Sequence, residues 1–265
     1  MPTDLLVVTA HPDDEVLIAG GILAACTRAG RSTAVICLTR GELGVDEHPA
    51  GPRGASLAIR RRDELLASCA RLGVSTVKCW RRPDGDLRSV RRGPLVAQLV
   101  RAFDSLKPAM VITFGEDGLY YHPDHVVVHE LVMAALAAQR SAAPQLYEAQ
   151  WPSAVSVALT SALSARALPA ELWGIPPADF GVEQIDCTHA VDVRPFVADK
   201  LAALRCHATQ LGPRHAFSQL PLDLAVEHLG REYLRPPDGD GLGVLRQWVS
   251  TGASVPEQTA WSERA

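Results

Sequence analysis

Short apolar segments alternate with helical segments along the first half of the chain, and this alternation constrains the fold more than any other feature. Residues 5–10 read Leu-Leu-Val-Val-Thr-Ala, which is typical of a strand buried on both faces of a parallel sheet. Further strands are predicted at Thr33–Thr39, Val74–Trp80 and Ala109–Phe114, and helices at Asp14–Ala29, 55–72, Val90–Leu106 and from about Pro123 onward. Strands that alternate with helices form right-handed crossovers, so we predict an α/β fold with a Rossmann-like parallel sheet and flanking helices.

The last third of the chain has a weaker pattern. It contains a predicted strand near Thr188–Val193 and predicted helices at Pro195–Thr209 and Leu222–Leu234. We therefore divide the chain into a Rossmann-like core, 1–150, and a smaller C-terminal α+β portion, 151–235, that packs on the core and completes its pocket. Residues 236–265 are rich in glycine, proline and polar side chains, so we expect a partly mobile tail there.

The composition excludes several classes of protein. A net charge of -4 over 265 residues gives no general attraction to nucleic acid. The sequence lacks a run of about 18 apolar residues and a basic leader before an apolar stretch, so we expect neither membrane insertion nor a signal peptide. None of the 6 cysteines is paired at C-x-x-C spacing, which favours buried thiols and a cytoplasmic location. Nothing in the sequence indicates an oligomeric state.

Two clusters of histidine and aspartate follow predicted strands. His11-Pro12-Asp13-Asp14-Glu15 comes directly after the first strand, and His122-Pro123-Asp124-His125 follows the fourth strand after a loop. Ligands of Rossmann-like sheets bind at the carboxyl ends of the strands, so we expect the two clusters to meet there. Imidazole and carboxylate groups suit zinc, and three protein ligands leave one position for water. We predict that His11, Asp14 and His125 bind Zn²⁺, which places the metal site in the 1–150 core.

The remaining polar residues of the two clusters fit a hydrolytic reaction. Asp13 is the neighbour of Asp14 and cannot easily share the metal, so it is free to act as general base toward the water. His122 lies one helical turn before His125, where a protonated imidazole stabilises an oxyanion or protonates a leaving amine. Asp124 is then the expected hydrogen-bond partner of His122.

These residues carry a resemblance to a known family. Ala-His-Pro-Asp-Asp-Glu at 10–15 and His-Pro-Asp-His at 122–125 resemble the motifs of the PIG-L/LmbE-like N-deacetylases. Further matches follow in the same order over about residues 5–235: Thr39-Arg40-Gly41-Glu42, Arg61 with Glu64, Pro83-Asp84-Gly85, and the late series Lys200, Ala203, Leu204, His207 and Gln210.

The resemblance implies a zinc-dependent hydrolase that removes an N-acyl group, most often acetyl, from an amino sugar or glycoconjugate. It implies that Arg61 and Asp84 contact sugar hydroxyls or a neighbouring group and that His207 lies at the substrate. His207 also fits a role in helix packing. The segment Gly118-Leu119-Tyr120-Tyr121 departs from the small residues of many members, so the tyrosines are candidates for shaping acceptor specificity.

Several alternatives remain open at this point. An amidase of a thiol-sugar conjugate, or a non-catalytic metal- or sugar-binding module, would fit the same fold. Divalent iron or cobalt would fit the same ligands as zinc. A dinucleotide-dependent enzyme is disfavoured, because the first strand–helix turn carries His-Pro-Asp-Asp in place of G-x-G-x-x-G.

Overall fold

A seven-stranded sheet forms the centre of the protein, with strand order β3-β2-β1-β4-β5-β7-β6. The computed structural model describes residues 2–44, 51, 53–139, 143–183, 189–236 and 241–255. The strands are β1 Leu5–Thr9, β2 Thr33–Thr39, β3 Thr76–Arg82, β4 Met110–Phe114, β5 Gln145–Gln150, β6 Ala190–Asp192 and β7 Arg231–Arg235. The helices are α1 Asp14–Arg28, α2 Gly54–Arg71, α3 Arg92–Leu106, α4 Gly118–Tyr121, α5 Pro123–Ala137, α6 Ser153–Ala165, α7 Val197–Leu204, α8 Leu222–Leu229 and α9 Gly243–Ser254.

The predicted α/β class and the first four strands are confirmed. Strand β1 pairs in parallel with β2 on one side and with β4 on the other, with Leu5 opposite both Thr33 and Met110. Every residue of β1, β2 and β4 is buried, which explains their continuous apolar sequences. The chain therefore runs outward from β1 in both directions, and this change of direction opens a crevice at the carboxyl ends of β1 and β4.

The C-terminal portion extends the same sheet. Strand β7 pairs antiparallel with β5 and with β6, so both late strands join the sheet edge beyond β5. The predicted helix 222–234 was wrong after Leu229, because residues from Arg231 onward pair with two neighbouring strands. Of the tail at 236–265, residues 237–240 and 256–265 lie outside the described structure, and Gly243–Ser254 form α9.

A buried ion pair ties this C-terminal portion to α1. Lys200 Nζ lies 2.7 Å from Glu232 Oε1, and both side chains are almost fully buried. The Glu232 carboxylate also accepts hydrogen bonds from the backbone N–H groups of Gly21 and Ile22, in the middle of α1. The ion pair therefore holds α1, whose first turn carries Asp14, against the late strands. No helix in the described part of the chain is long and apolar enough to cross a membrane.

Candidate metal centre and active site

The two predicted clusters meet at the crevice between β1 and β4. His11 follows β1, and Asp14 is the first residue of α1. His125 lies in the first turn of α5, where Pro123 occupies a position that needs no N–H donor. The three side chains are at least nine-tenths buried. The sequence separation of more than 100 residues is bridged because β1 and β4 are adjacent in the sheet.

His11, Asp14 and His125 point their ligand atoms at one another. His11 Nδ1 lies 3.2 Å from His125 Nε2 and 3.4 Å from Asp14 Oδ2, and His125 Nε2 lies 3.2 Å from Asp14 Oδ1. Around a tetrahedral zinc ion with bonds of about 2.0–2.1 Å, ligand atoms lie roughly 3.3 Å apart. The spacing of the three side chains therefore fits a small divalent cation.

The second nitrogen of each histidine has its own partners. His11 Nε2 lies 3.1 Å from Asp84 Oδ1 and 3.3 Å from Asp124 Oδ2, and His125 Nδ1 lies 3.1 Å from the carbonyl oxygen of Gly118. Metal-binding histidines characteristically donate their other N–H to a carboxylate or a carbonyl. This arrangement leaves His11 Nδ1 and His125 Nε2 facing the shared space beside Asp14.

The electrostatics of this cluster favour a positive charge. Burial lowers the pKa of His11, but hydrogen bonds with Asp124, Asp14 and Asp84 outweigh burial and hold the pKa well above its ordinary value. Burial likewise raises the pKa of Asp14, but His125 and His11 hold it well below its ordinary value. A divalent cation supplies the positive charge that these groups stabilise, and its binding displaces the proton from the imidazole.

His122 lies beside the three residues. Its Nδ1 accepts a hydrogen bond of 3.2 Å from the backbone N–H of Asp124, so the remaining proton is on Nε2. Burial and the neighbouring His125 and His11 lower the pKa of His122 to about 4. The histidine is therefore a neutral donor at pH 7, in contrast to the protonated form we expected from the sequence. With His11 and His125 it forms a group whose ligand atoms lie within 4.8 Å of one another.

Asp124 was expected to partner His122, but its carboxylate faces His11 instead. Its Oδ2 accepts a hydrogen bond from the backbone N–H of Gly85, and Oδ1 accepts one from Leu87. These bonds turn the carboxylate toward the loop after β3 and place it against His11 Nε2. Spacing within the H-P-D-H motif did not reveal this contact, because it depends on the position of another strand's loop.

Asp13 lies at the N-terminus of α1 in a strained backbone conformation, with φ 109° and ψ -30°. Its carboxylate lines the cavity, and Oδ2 lies 3.0 Å from Arg61 Nη2. Burial raises the pKa of Asp13 to about 6, against the opposing effect of the Arg61 guanidinium. Asp13 is thus a carboxylate beside the ligand cluster that does not belong to it.

Arg61 and Asp84, which the resemblance places at sugar hydroxyls or a neighbouring group, both line the cavity. Arg61 is only 4% exposed and donates to the carbonyl oxygens of Gly41 and Pro12 as well as to Asp13. Gly41 has φ +65°, and a Cβ there would lie 2.1 Å from Arg61 Nη1, so glycine is required. Asp84 accepts a hydrogen bond from the backbone N–H of Leu43.

His207 is fully buried and lies away from the described cavity wall. Its Nε2 is 2.8 Å from Glu15 Oε1. The structure thus separates His207 from the substrate position that the resemblance implied and joins it to the last residue of the first motif. The physical reason is that α7 ends at Leu204, before His207, and the imidazole bonds the buried carboxylate of Glu15 on α1.

A cavity of about 250 Å³ opens over the cluster. Its polar wall includes His11, Asp13, Asp14, Arg61, Asp84, His122 and Gln210, and its apolar wall includes Leu17, Leu43, Tyr120 and Trp173. Both Tyr120 and Tyr121 were candidates for shaping this region. Tyr120 lines the cavity, whereas Tyr121 is mostly exposed and does not. Sequence reasoning missed Leu43 and Trp173, because a single apolar residue in a loop carries no periodic signal.

The chain is similar in sequence to one named deacetylase and in fold to another. The 1D-myo-inositol 2-acetamido-2-deoxy-alpha-D-glucopyranoside deacetylase of Mycolicibacterium vanbaalenii is 34% identical over 234 residues, which are 78% of this chain and 80% of that protein. The solved structure of N,N'-diacetylchitobiose deacetylase from Pyrococcus horikoshii has a TM-score of 0.64 at 19% identity, covering 88% of this chain and 83% of the other.

The same fold also supports other chemistry. The structure of 4-carboxy-2-hydroxymuconate hydratase from Pseudomonas putida KT2440 has a TM-score of 0.61 at 20% identity, covering 90% of this chain and 97% of the other. Fold similarity alone therefore does not select the reaction. The sequence does select the family: the model of the PIG-L GlcNAc-PI de-N-acetylases matches residues 6–136, and together with the 34% identical relative it shows that this chain belongs to the PIG-L family.

Proposed function

We propose that this protein hydrolyses the acetamide of a 2-acetamido sugar, with Zn²⁺ held by His11, Asp14 and His125. The observation that carries the proposal is the position of Asp13, a buried carboxylate residue that lines the same cavity as His11 and Asp14 and is not one of the three proposed ligands. An amide hydrolase needs such a base next to its metal, whereas a metal- or sugar-binding module does not.

The relatives favour an acetylated amino sugar as substrate. The names of the Mycolicibacterium and Pyrococcus proteins both describe deacetylases of sugars that carry an acetamido group. A cavity of about 250 Å³ with a mixed polar and apolar wall suits one sugar ring with its acetamido group. We propose that Asp84 contacts sugar hydroxyls and that the C-terminal portion, 151–235, completes the pocket through Trp173 and Gln210.

The chain's own residues account for the proton transfers. When bound, Zn²⁺ supplies Lewis acidity to the amide carbonyl and to water. Asp13 takes a proton from the attacking water while the carbon–oxygen bond forms. The Nε2–H of neutral His122 donates a hydrogen bond to the oxygen that gains negative charge. Asp13 then returns its proton to the nitrogen as the carbon–nitrogen bond breaks, which yields acetate and the free amine.

In this proposal Arg61 contacts a neighbouring group, the Asp13 carboxylate, which is one of the two contacts that the resemblance implied. Three acceptors already occupy its Nη1 and Nη2 groups, and one of these is the Asp13 carboxylate. We propose that Arg61 orients Asp13 and keeps its negative charge available for the water.

An amide of a thiol-sugar conjugate is the second candidate substrate, because it presents the same amide to the same residues.

Amine release from a panel of acetylated sugars tests the proposal. The panel contains N-acetylglucosaminyl inositol, N-acetylglucosamine, N,N'-diacetylchitobiose and a thiol-sugar amide. Each is assayed with the protein as purified, after chelator treatment and after return of Zn²⁺, with Asp13→Asn as the matched control. Release from an acetamido sugar that the chelator abolishes and zinc restores supports the proposal. A zinc-loaded protein that releases no amine from any of them contradicts it.

A further inference from the structure

The strained backbone of Asp13 requires contacts that hold it. A non-glycine residue with φ 109° is uncommon and persists only where the surrounding structure determines the conformation. On one side, Arg61 binds the Asp13 carboxylate and the carbonyl oxygen of Pro12. On the other side, the backbone N–H of Asp13 donates a hydrogen bond of 3.0 Å to Glu15 Oε2.

Glu15 is itself held on its other oxygen. The side chain is fully buried, and Oε1 accepts hydrogen bonds from Ser68 Oγ at 2.6 Å and from His207 Nε2 at 2.8 Å. A buried carboxylate without partners is strongly unfavourable, and these donors keep it in one orientation. Both oxygens of Glu15 therefore accept hydrogen bonds, Oε1 from Ser68 and His207 and Oε2 from the backbone of Asp13.

The two side chains that donate to Glu15 come from distant parts of the chain. Ser68 lies on α2 seven residues after Arg61, so both side chains lie on the helix face that packs against the first motif. His207 follows α7 in the C-terminal portion, 192 residues after Glu15. Glu15 and Ser68 have no role in the proposed reaction. His207 does not line the cavity, so it has no contact with the proposed substrate position.

The geometry points to Glu15 as a positioning residue that, held by Ser68 and His207, fixes the backbone of Asp13 so that its carboxylate faces the cavity. This inference rests on the proposed function, in which Asp13 is the base. Glu15 does not itself line the cavity in the described structure, and its described hydrogen bond to a cavity residue is the one from the Asp13 N–H. The bond between His207 and Glu15 joins the late motif of the sequence to the first one.

Four variants test the inference. Glu15→Gln retains only one acceptor oxygen, so it cannot satisfy the Asp13 N–H and the two side-chain donors together. His207→Leu removes one donor, and His207→Gln returns an N–H group to the same region. Ser68→Ala is the mildest change and serves where Glu15→Gln does not fold.

Glu64→Gln is the matched control. Glu64 is also a buried carboxylate on α2, and it joins the same C-terminal segment by accepting hydrogen bonds from Thr209 N and Oγ1. None of its described hydrogen bonds or ion pairs involves Asp13. A purely structural role in joining α2 to the C-terminal portion would therefore affect Glu64→Gln as much as Glu15→Gln.

The readouts are kcat, KM, bound zinc and hydrogen exchange at the Asp13 amide. For Glu15→Gln and His207→Leu we expect kcat to fall about 10–100-fold, the usual effect of losing a partner outside the ligand shell. We expect KM and bound zinc to stay at wild-type values, the Asp13 amide to exchange faster, and His207→Gln to recover most of kcat. Ser68→Ala should show the same pattern to a smaller degree, and Glu64→Gln should match the wild type.

Specific results would overturn the inference. A wild-type exchange rate at Asp13 in Glu15→Gln, a higher KM at unchanged kcat, or a loss of zinc together with kcat each contradicts positioning of Asp13. If the wild-type protein releases no amine from any sugar, the proposed function fails by itself. The exchange rate of the Asp13 amide then still decides whether Glu15 and His207 fix its backbone.

Discussion

Arg61 and Asp13 form a buried ion pair, with Arg61 Nη2 3.0 Å from Asp13 Oδ2, and the same guanidinium binds two backbone carbonyl oxygens. Loss of one partner from a buried ion pair leaves an uncompensated charge and typically costs about 3–5 kcal/mol. We expect Arg61→Leu to lower the free energy of unfolding by about this amount, measured by denaturant titration, and to lower kcat. Arg61→Lys keeps the charge but cannot bind three acceptors in a plane. It should therefore recover only part of the free energy of unfolding and only part of kcat. An unchanged unfolding free energy in Arg61→Leu contradicts this interpretation.

The role of Asp13 predicts a selective loss of turnover. Asp13→Asn removes the base and keeps a side chain of the same shape, so we expect kcat to fall about 10²–10⁴-fold, the usual contribution of a general base. Zinc content, measured by elemental analysis, should stay at the wild-type value because Asp13 lies outside the ligand group. Near-full turnover in this variant means that another group accepts the proton.

The ligand assignment predicts which substitutions remove the metal. His11→Ala, Asp14→Ala and His125→Ala should each lose most bound zinc after gel filtration. His129→Ala is the matched control, because His129 lies one turn further along α5 and bonds the carbonyl oxygen of Phe114 instead. Its zinc content should equal that of the wild type. Retention of zinc by His125→Ala would remove that residue from the site.

Much of the fold follows from local sequence. The buried strands β1, β2 and β4 read as short apolar runs, and the helices between them end at glycine or before proline, so their bounds were predicted closely. Strand β5 was missed because it mixes polar and apolar residues, Gln-Leu-Tyr-Glu-Ala-Gln. Strand β7 was assigned to a helix because its conformation depends on pairing with β5 and β6, which local periodicity does not reveal.

The candidate site also has a part that local sequence predicts and a part that depends on long-range contacts. The two histidine–aspartate motifs predicted the meeting of His11, Asp14 and His125, because the sheet rule places both motifs at one edge. The partners of Asp124 and His207 were not predictable in this way. Each depends on a contact between loops that are far apart in the sequence, with Asp124 bound by the loop after β3 and His207 bound by Glu15.

His215 predicts a pH-dependent stability. Its imidazole packs 4.2 Å from the ring of Trp173, and burial lowers its pKa from 6.5 to about 4. The unfolded chain therefore takes up a proton as the pH falls below about 6.5, while the folded chain does not until about 4. Stability is lost across that window, by about 2 kcal/mol between pH 7.5 and pH 5 from this residue.

The variant His215→Asn tests this dependence, because asparagine still offers an acceptor to the backbone N–H of Phe217 but does not titrate. Denaturant unfolding at pH 7.5 and pH 5 should show a loss of stability that is smaller in His215→Asn than in the wild type by about the same 2 kcal/mol. Equal losses in the two proteins mean that burial does not lower the pKa of His215, so that the folded chain takes up the proton over the same pH range as the unfolded chain.

The central claim is that one divalent cation on His11, Asp14 and His125 enables amide hydrolysis. Titration of Zn²⁺ into chelator-stripped protein, with amine release from the best acetylated sugar followed at each addition, tests it most directly. The claim predicts no release from the stripped protein and a linear rise that ends at one equivalent of zinc per chain. Undiminished release from protein shown to hold no metal would contradict it.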